Sequence, residues 1–192
     1  MSLKREVHTR GVVITRRGAG EGSVRALVYT EACGLVRAAL TSGREERSQL
    51  RPYLLPGTIG TFSLVQGKVE WRITGAFQCQ ITMYAVRLPE ARVVAERILE
   101  LVRRFVHGEE RNDALFEALS SFFYTLPNIT TSDCEALEHL AAVRLLAALG
   151  YVESRELGDI LAAPYMQRIS EAHERRAELV RHINHGFEVS GI

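Results

Sequence analysis

The hydrophobic period of this 192-residue chain changes once, near Pro89, and that change restricts the fold more than any other feature. Before it, β-branched and apolar residues alternate or run in short blocks between turn signals. After it, they recur at the i, i+3, i+4 spacing of amphipathic helices. A chain that spends its first half on period two and its second on period 3.6 is expected to be an α+β protein with two segregated parts, residues 1–86 and 87–192.

The first half reads as about five strands. Gly11-Val12-Val13-Ile14-Thr15-Arg16 opens and stops at the turn cluster Arg17 to Gly22. Val24 to Thr30 follows, Cys33-Gly34 turns the chain, and Leu35 to Leu40 runs back to a polar loop from Thr41 to Gln49. After Pro52 and Pro56-Gly57, Ile59 to Val65 is expected to pair with Lys68 to Thr74 across Gln66-Gly67. Val69, Trp71 and Ile73 then share one face. Beyond Gly75 the alternation of Phe77, Cys79, Ile81, Met83 and Ala85 predicts a long last strand bent at that glycine. Five strands at this spacing suit a small barrel.

In the second half, Pro89 starts a helix carrying Val94, Ile98, Leu101 and Phe105. Asn112 or Asp113 can cap a second with Leu115, Leu119, Phe122 and Leu126, ending at Pro127. Ser132 to Glu135 has capping-box spacing ahead of a helix that is apolar on nearly every side except at Arg144, so it should be the centre of a bundle stopped by Gly150. A short helix from Ser154 to Ala162 and a last one from Tyr165 to His185 complete the reading. The last is mostly polar, with a Glu171–Arg175 pair and a narrow seam of Ile169, Leu179 and Ile183.

Charge separates the halves as sharply as period does. Residues 1–86 hold twelve Lys or Arg against six Glu, a net of +6. The remainder holds twelve bases against seventeen acids, a net of −5, which the whole-chain value of +1 conceals. A basic β half points to a polyanionic partner, because Lys and Arg neutralise phosphates and release condensed counterions. The candidate contacts are Arg25 and Arg37 in paired strands, Arg44, Arg47 and Arg51 in or beside the long loop, and Lys68 and Arg72 in the hairpin. Guanidinium suits them to phosphate and to base stacking. Tyr53, flanked by loop signals, is the stacking candidate, whereas Trp71 alternates with core residues.

Catalytic machinery is absent from the pattern. There is no Walker loop, Rossmann fingerprint, HExxH or GxSxG, and Gly18 to Gly22 joins strands instead of opening a helix. Cys33, Cys79 and Cys134 are far apart and read as buried thiols, and Glu178, His182 and His185 on one helix face read as a solvated helix end more than a metal site. No cofactor, metal or enzymatic activity is expected. No apolar run approaches the roughly 18 residues of a membrane span, and Met1 to Glu6 lacks the apolar stretch of a signal peptide. The expected compartment is the cytoplasm.

The order of these features resembles the RecO family of recombination mediators. Gly11-Val12-Val13-Ile14, Gly20 to Arg25, Tyr29-Thr30 and Gly34-Leu35 look like its first strands. Arg47-Ser48-Gln49-Leu50-Arg51-Pro52 resembles its basic loop, and Arg144-Leu145-Leu146-Ala147-Ala148-Leu149-Gly150-Tyr151 its central helix. The resemblance implies an N-terminal OB-fold β-barrel, residues 1–86, followed by an all-α helical domain, residues 87–192. It also implies binding of single- and double-stranded DNA, annealing of complementary strands, work with RecR, and loading of RecA onto strands coated by single-strand-binding protein. Many members carry a four-cysteine zinc module after the Leu-Gly-Tyr, but Val152 to Leu157 contains no cysteine. Glu45 and Glu46 also lie between the loop arginines and dilute their positive potential.

Overall fold

A computed structural model describes residues 6–18, 23–40, 49–162 and 164–191. They form two compact units, one of Met1–Met83 with His107–Arg111 and the other of Tyr84–Val106 with Asn112–Ile192.

In the first unit, β1 (Glu6–Gly18), β2 (Val24–Thr30), β3 (Gly34–Leu40), β4 (Thr58–Gln66) and β5 (Trp71–Ile81) close a barrel in the order β1-β2-β3-β5-β4. Only β3 and β5 run parallel, and β1 pairs with both β2 and β4 to complete the ring. That closed five-stranded order is the OB-fold. Alternation decides which side chains fill it. Val24, Ala26 and Val28 of β2, Val36, Ala38 and Leu40 of β3, and Trp71 and Ile73 of β5 point inward and are buried. Trp71 is thus a core residue, and its indole N–H donates to Glu109 Oε1 at 2.8 Å. Glu109 belongs to the returning segment His107–Arg111, which the change of period assigns to the helical half. The same segment packs where Gly34 turns with φ +67°, and a Cβ there would lie 2.2 Å from the Glu110 carbonyl oxygen. The Glu109 and Glu110 side chains and Arg111 leave this unit with thirteen bases against eight acids.

Several strand expectations are corrected. Gln66 pairs with Trp71, and Gly67 N–H donates to the Glu70 carbonyl at 3.1 Å, so the β4–β5 turn contains four residues. Val69 therefore lies in the turn, 97% exposed, instead of beside Trp71 in the core. The last strand ends at Ile81, because β4 begins at its partner Thr58 and offers nothing further to pair with. Thr82–Ala85 turns into a short helix, α1. Two irregularities bend β5, one next to Gly75 as expected and one at Gln78, whose φ is +49°. The second turns Phe77 outward to 54% exposure and leaves Cys79 half-buried, so alternation cannot be read through it. Burial pushes the Cys79 thiol up to about 11.

The second unit is helical, with α2 (Pro89–Phe105), α3 (Asp113–Thr125), α4 (Cys134–Ala148), α5 (Ser154–Leu157), α6 (Tyr165–Glu174) and α7 (Arg176–Ser190). Asn112 caps α3 by accepting from Leu115 N–H at 2.9 Å, and its amide donates to the Ala148 carbonyl at 2.8 Å. The central helix is α4. Ten of its residues are buried, and Gly150 with φ +81° ends it while Tyr151 N–H donates back to Leu146. Arg144, 6% exposed, donates to the Ile160 carbonyl at 2.6 and 2.9 Å and lies 4.1 Å from the Tyr165 ring centroid.

Two helical expectations fail for local reasons. No capping box forms at Ser132, because Thr131–Asp133 is a 3-10 turn and the Glu135 carboxylate is taken by Arg176 at 2.6 Å. The last helix is two helices. It breaks at Arg175, whose guanidinium keeps the expected i, i+4 pair with Glu171 and also donates to the Leu157 carbonyl and to Glu178, contacts that i, i+4 pairing alone does not reveal.

Candidate nucleic-acid interface

The barrel registers bring together arginines that are far apart in sequence. On the outer face, Arg17 of β1 lies directly opposite Arg25 of β2, Arg25 lies opposite Ala39 of β3, and Ala39 lies beside Arg72 of β5. With strands about 4.8 Å apart, this row crosses four strands over about 14 Å. Arg37, two residues before Ala39, points to the same face. All four guanidiniums are exposed. Arg17, Arg37 and Arg72 have no ion-pair partner among the described residues. Arg25 Nε donates to Glu70 Oε1 and Oε2 at 3.1 and 2.9 Å.

Like charges opposite one another on a sheet are destabilising. A barrel that sets Arg17 against Arg25 and leaves three guanidiniums of the group to solvent keeps a concentrated positive field on one face. The group spans β2–β3 and lies beside the β4–β5 turn, a part of OB barrels that engages oligonucleotides.

Lys68 is exposed in the β4–β5 turn. Arg51 and Tyr53 lie in the 3-10 turn Arg51–Leu54, Tyr53 at 37% exposure, and the Arg51 carbonyl accepts from Arg16 at 3.4 Å. Arg44 and Arg47, with Glu45 and Glu46, lie outside the described residues. Two positions were not singled out from sequence. Arg17 is recognised only through its register with Arg25. Phe77 is an exposed aromatic on the outer face because of the irregularity at Gln78. No group of three or more His, Cys, Asp or Glu that could hold a metal occurs among the described residues. His182 lies 3.6 Å from Glu156 and 4.0 Å from Glu178.

Residues 1–75, which carry all four arginines of the face, match the family model described as Recombination protein O N terminal. The barrel part of the chain is thus similar to the RecO family. The DNA repair protein RecO of Dehalococcoides mccartyi is 25% identical over 151 residues, a match that takes in 79% of this chain and 59% of that protein. The chain thus spans about three-fifths of the length of its RecO relative. The OB barrel followed by helices agrees with this likeness. No helix among the described residues is long and apolar enough to cross a membrane.

The helical unit carries a second surface feature. A groove of about 610 Å³ runs between α2, α4 and α7, with apolar walls that include Val93, Leu101, Ile183 and Phe187. Arg104 stands at this groove with no ion-pair partner among the described residues, while Arg97 is paired with Glu138 at 3.1 Å.

Proposed function

We propose that this protein is a non-catalytic, cytoplasmic recombination and repair mediator that binds single- and double-stranded DNA through the outer face of its barrel. In this role it promotes annealing and assists RecA loading together with RecR. The observation that carries the reading is the cross-strand row Arg17, Arg25, Ala39, Arg72 with Arg37 on the same face. Guanidiniums at strand spacing neutralise successive phosphates without reading bases, which suits a protein that must accept any sequence. Arg51 and Lys68 add further positive charge to the barrel unit. Tyr53, and Phe77 on another part of the barrel, are the aromatic surfaces on which bases can stack. The test is fluorescence anisotropy with a labelled single strand at low salt. Arg37→Ala with Arg72→Ala should weaken binding at least about tenfold, taking each phosphate contact as worth about 0.7 kcal/mol or more. Unchanged affinity would remove this face from the interface.

A second reading, an adaptor for replication and repair proteins with weak DNA contact, is favoured by the groove on the helical unit. Its apolar side chains Val93, Leu101, Ile183 and Phe187 offer anchors to a partner peptide within a rim of mixed charge from Arg104, Glu96 and Glu100, and the tail of single-strand-binding protein is the candidate. Binding of the isolated tail peptide that is lost in Ile183→Glu would support this reading. Absence of binding to that peptide and to RecR would count against it.

A further inference from the structure

One carboxylate already occupies the arginine face. Glu70, the last residue of the β4–β5 turn, accepts from Arg25 Nε of β2 with both of its oxygens, at 3.1 and 2.9 Å. Its side chain is 26% exposed while that of Arg25 is 62% exposed, so the carboxylate lies in against the barrel and the guanidinium faces outward. The pair is not a feature of the core. It is an exposed ion pair of the kind that contributes little to stability, yet it neutralises one of four arginines in the region where the others have no ion-pair partner among the described residues. We infer that Glu70 holds the place of a phosphate on Arg25 in the free protein and sets the affinity of the barrel face by competing with nucleic-acid backbone for that guanidinium. The inference rests on the reading of this face as a DNA interface and names the residue that tunes it.

The geometry supports competition because a carboxylate and a phosphate present the same paired oxygens to a guanidinium, so both cannot take the same donor. Glu70 takes the Nε–H of Arg25, so a strand that engages the guanidinium through its Nε edge must displace Glu70, and the turn that carries Glu70 also carries Lys68 and the fully exposed Val69. Strands long enough to contact Arg17, Arg37 and Arg72 together offset that displacement. Short or isolated phosphates do not. Glu70 therefore makes the face discriminate in favour of long backbone over mononucleotides and free phosphate.

The experiment uses the 192-residue chain and four forms: wild type, Glu70→Gln, Arg25→Ala and the double variant, titrated with a labelled single-stranded oligonucleotide over a salt series. Glu70→Gln keeps size and removes the charge, and its melting temperature should match wild type. It should bind about 3- to 10-fold more tightly at low salt. Its log-log salt slope should be steeper by about 0.7, the contribution of one further neutralised phosphate on a single strand. In the Arg25→Ala background the Glu70→Gln gain should vanish, because the two act as one unit. An equal gain in both backgrounds would overturn the inference, since Glu70 would then act as a diffuse repulsive charge. A loss of affinity in Glu70→Gln would also overturn it, by making Glu70 a residue that positions Arg25. If Glu70→Gln changes nothing while Arg37→Ala with Arg72→Ala weakens binding, the inference fails and the DNA interface stands. If neither changes binding, the interface itself is misplaced.

Discussion

Replacing Arg144 should damage the helical unit more than any other single change to a charged residue. The guanidinium is buried in the central helix and makes two short hydrogen bonds to one carbonyl, that of Ile160, while its plane packs on Tyr165. Burial lowers its pKa from the ordinary arginine value, and it stays charged because arginine does not deprotonate in proteins. Hydrogen bonds to a charged donor contribute about 1.5–3 kcal/mol each, less when two share an acceptor, and stacking on the ring adds about 1–2 kcal/mol. The cost of burying the charge offsets part of this. Arg144→Ala removes both bonds, leaves the Ile160 carbonyl unsatisfied and opens a cavity, for a loss of about 3–5 kcal/mol. Arg144→Met fills the space but still orphans the carbonyl, for about 1–3 kcal/mol. Far-UV circular dichroism in urea reports the helices. With a slope of about 2 kcal/mol per molar, Arg144→Ala should lower the midpoint by about 2 M, and Arg144→Met by about half that. A loss below 1 kcal/mol for Arg144→Ala, or no loss for Arg144→Met, would refute the reasoning that polar contacts carry the residue.

Four further outcomes are expected. Gly34→Ala, at φ +67° and with a Cβ driven into the Glu110 backbone, should destabilise the barrel by about 3 kcal/mol or more in thermal denaturation. Trp71→Phe, which leaves Glu109 without its donor and shrinks a core side chain, should cost about 1–3 kcal/mol by the same measurement. Asn112→Ala should cost about 1–2 kcal/mol, because one side chain both caps α3 and donates to the end of α4. The His139 imidazole is held below its ordinary pKa of 6.5 by burial, against the pull of Glu135 and Glu138, and its Nδ1 has no hydrogen-bond partner among the described residues. The unfolded chain therefore takes up a proton more readily than the folded one below pH 6.5. Stability should be full above that value and fall as pH drops through the folded pKa, and His139→Gln should flatten the dependence measured by urea titration.

Much of the architecture is legible because burial writes a period into the chain. Val24 to Thr30 and Leu35 to Leu40 are short apolar runs bounded by turn signals, buried but for a few positions such as Arg25 and Arg37, and Val94, Ile98, Leu101 and Phe105 repeat along one side of a helix. What the period cannot carry is pairing. The end of β5 depends on where β4 begins, the fate of Val69 on the length of a turn, and the outward Phe77 on a single irregularity at Gln78. The break at Arg175 depends on carbonyls brought in from another segment. The site follows the same rule. Arg25, Arg37 and Arg72 stand out as bases on strands, but their adjacency, the addition of Arg17 and the occupation of Arg25 by Glu70 exist only through the registers of a closed barrel.

The most direct test of the account is the salt dependence of single-strand binding by the unaltered protein. If Arg17, Arg25, Arg37 and Arg72 together neutralise three to four phosphates, the logarithm of the binding constant should fall linearly with the logarithm of salt concentration, with a slope of about −2 to −3. A slope near zero, or no detectable binding at about 50 mM salt, would contradict the assignment of the barrel face as the DNA interface.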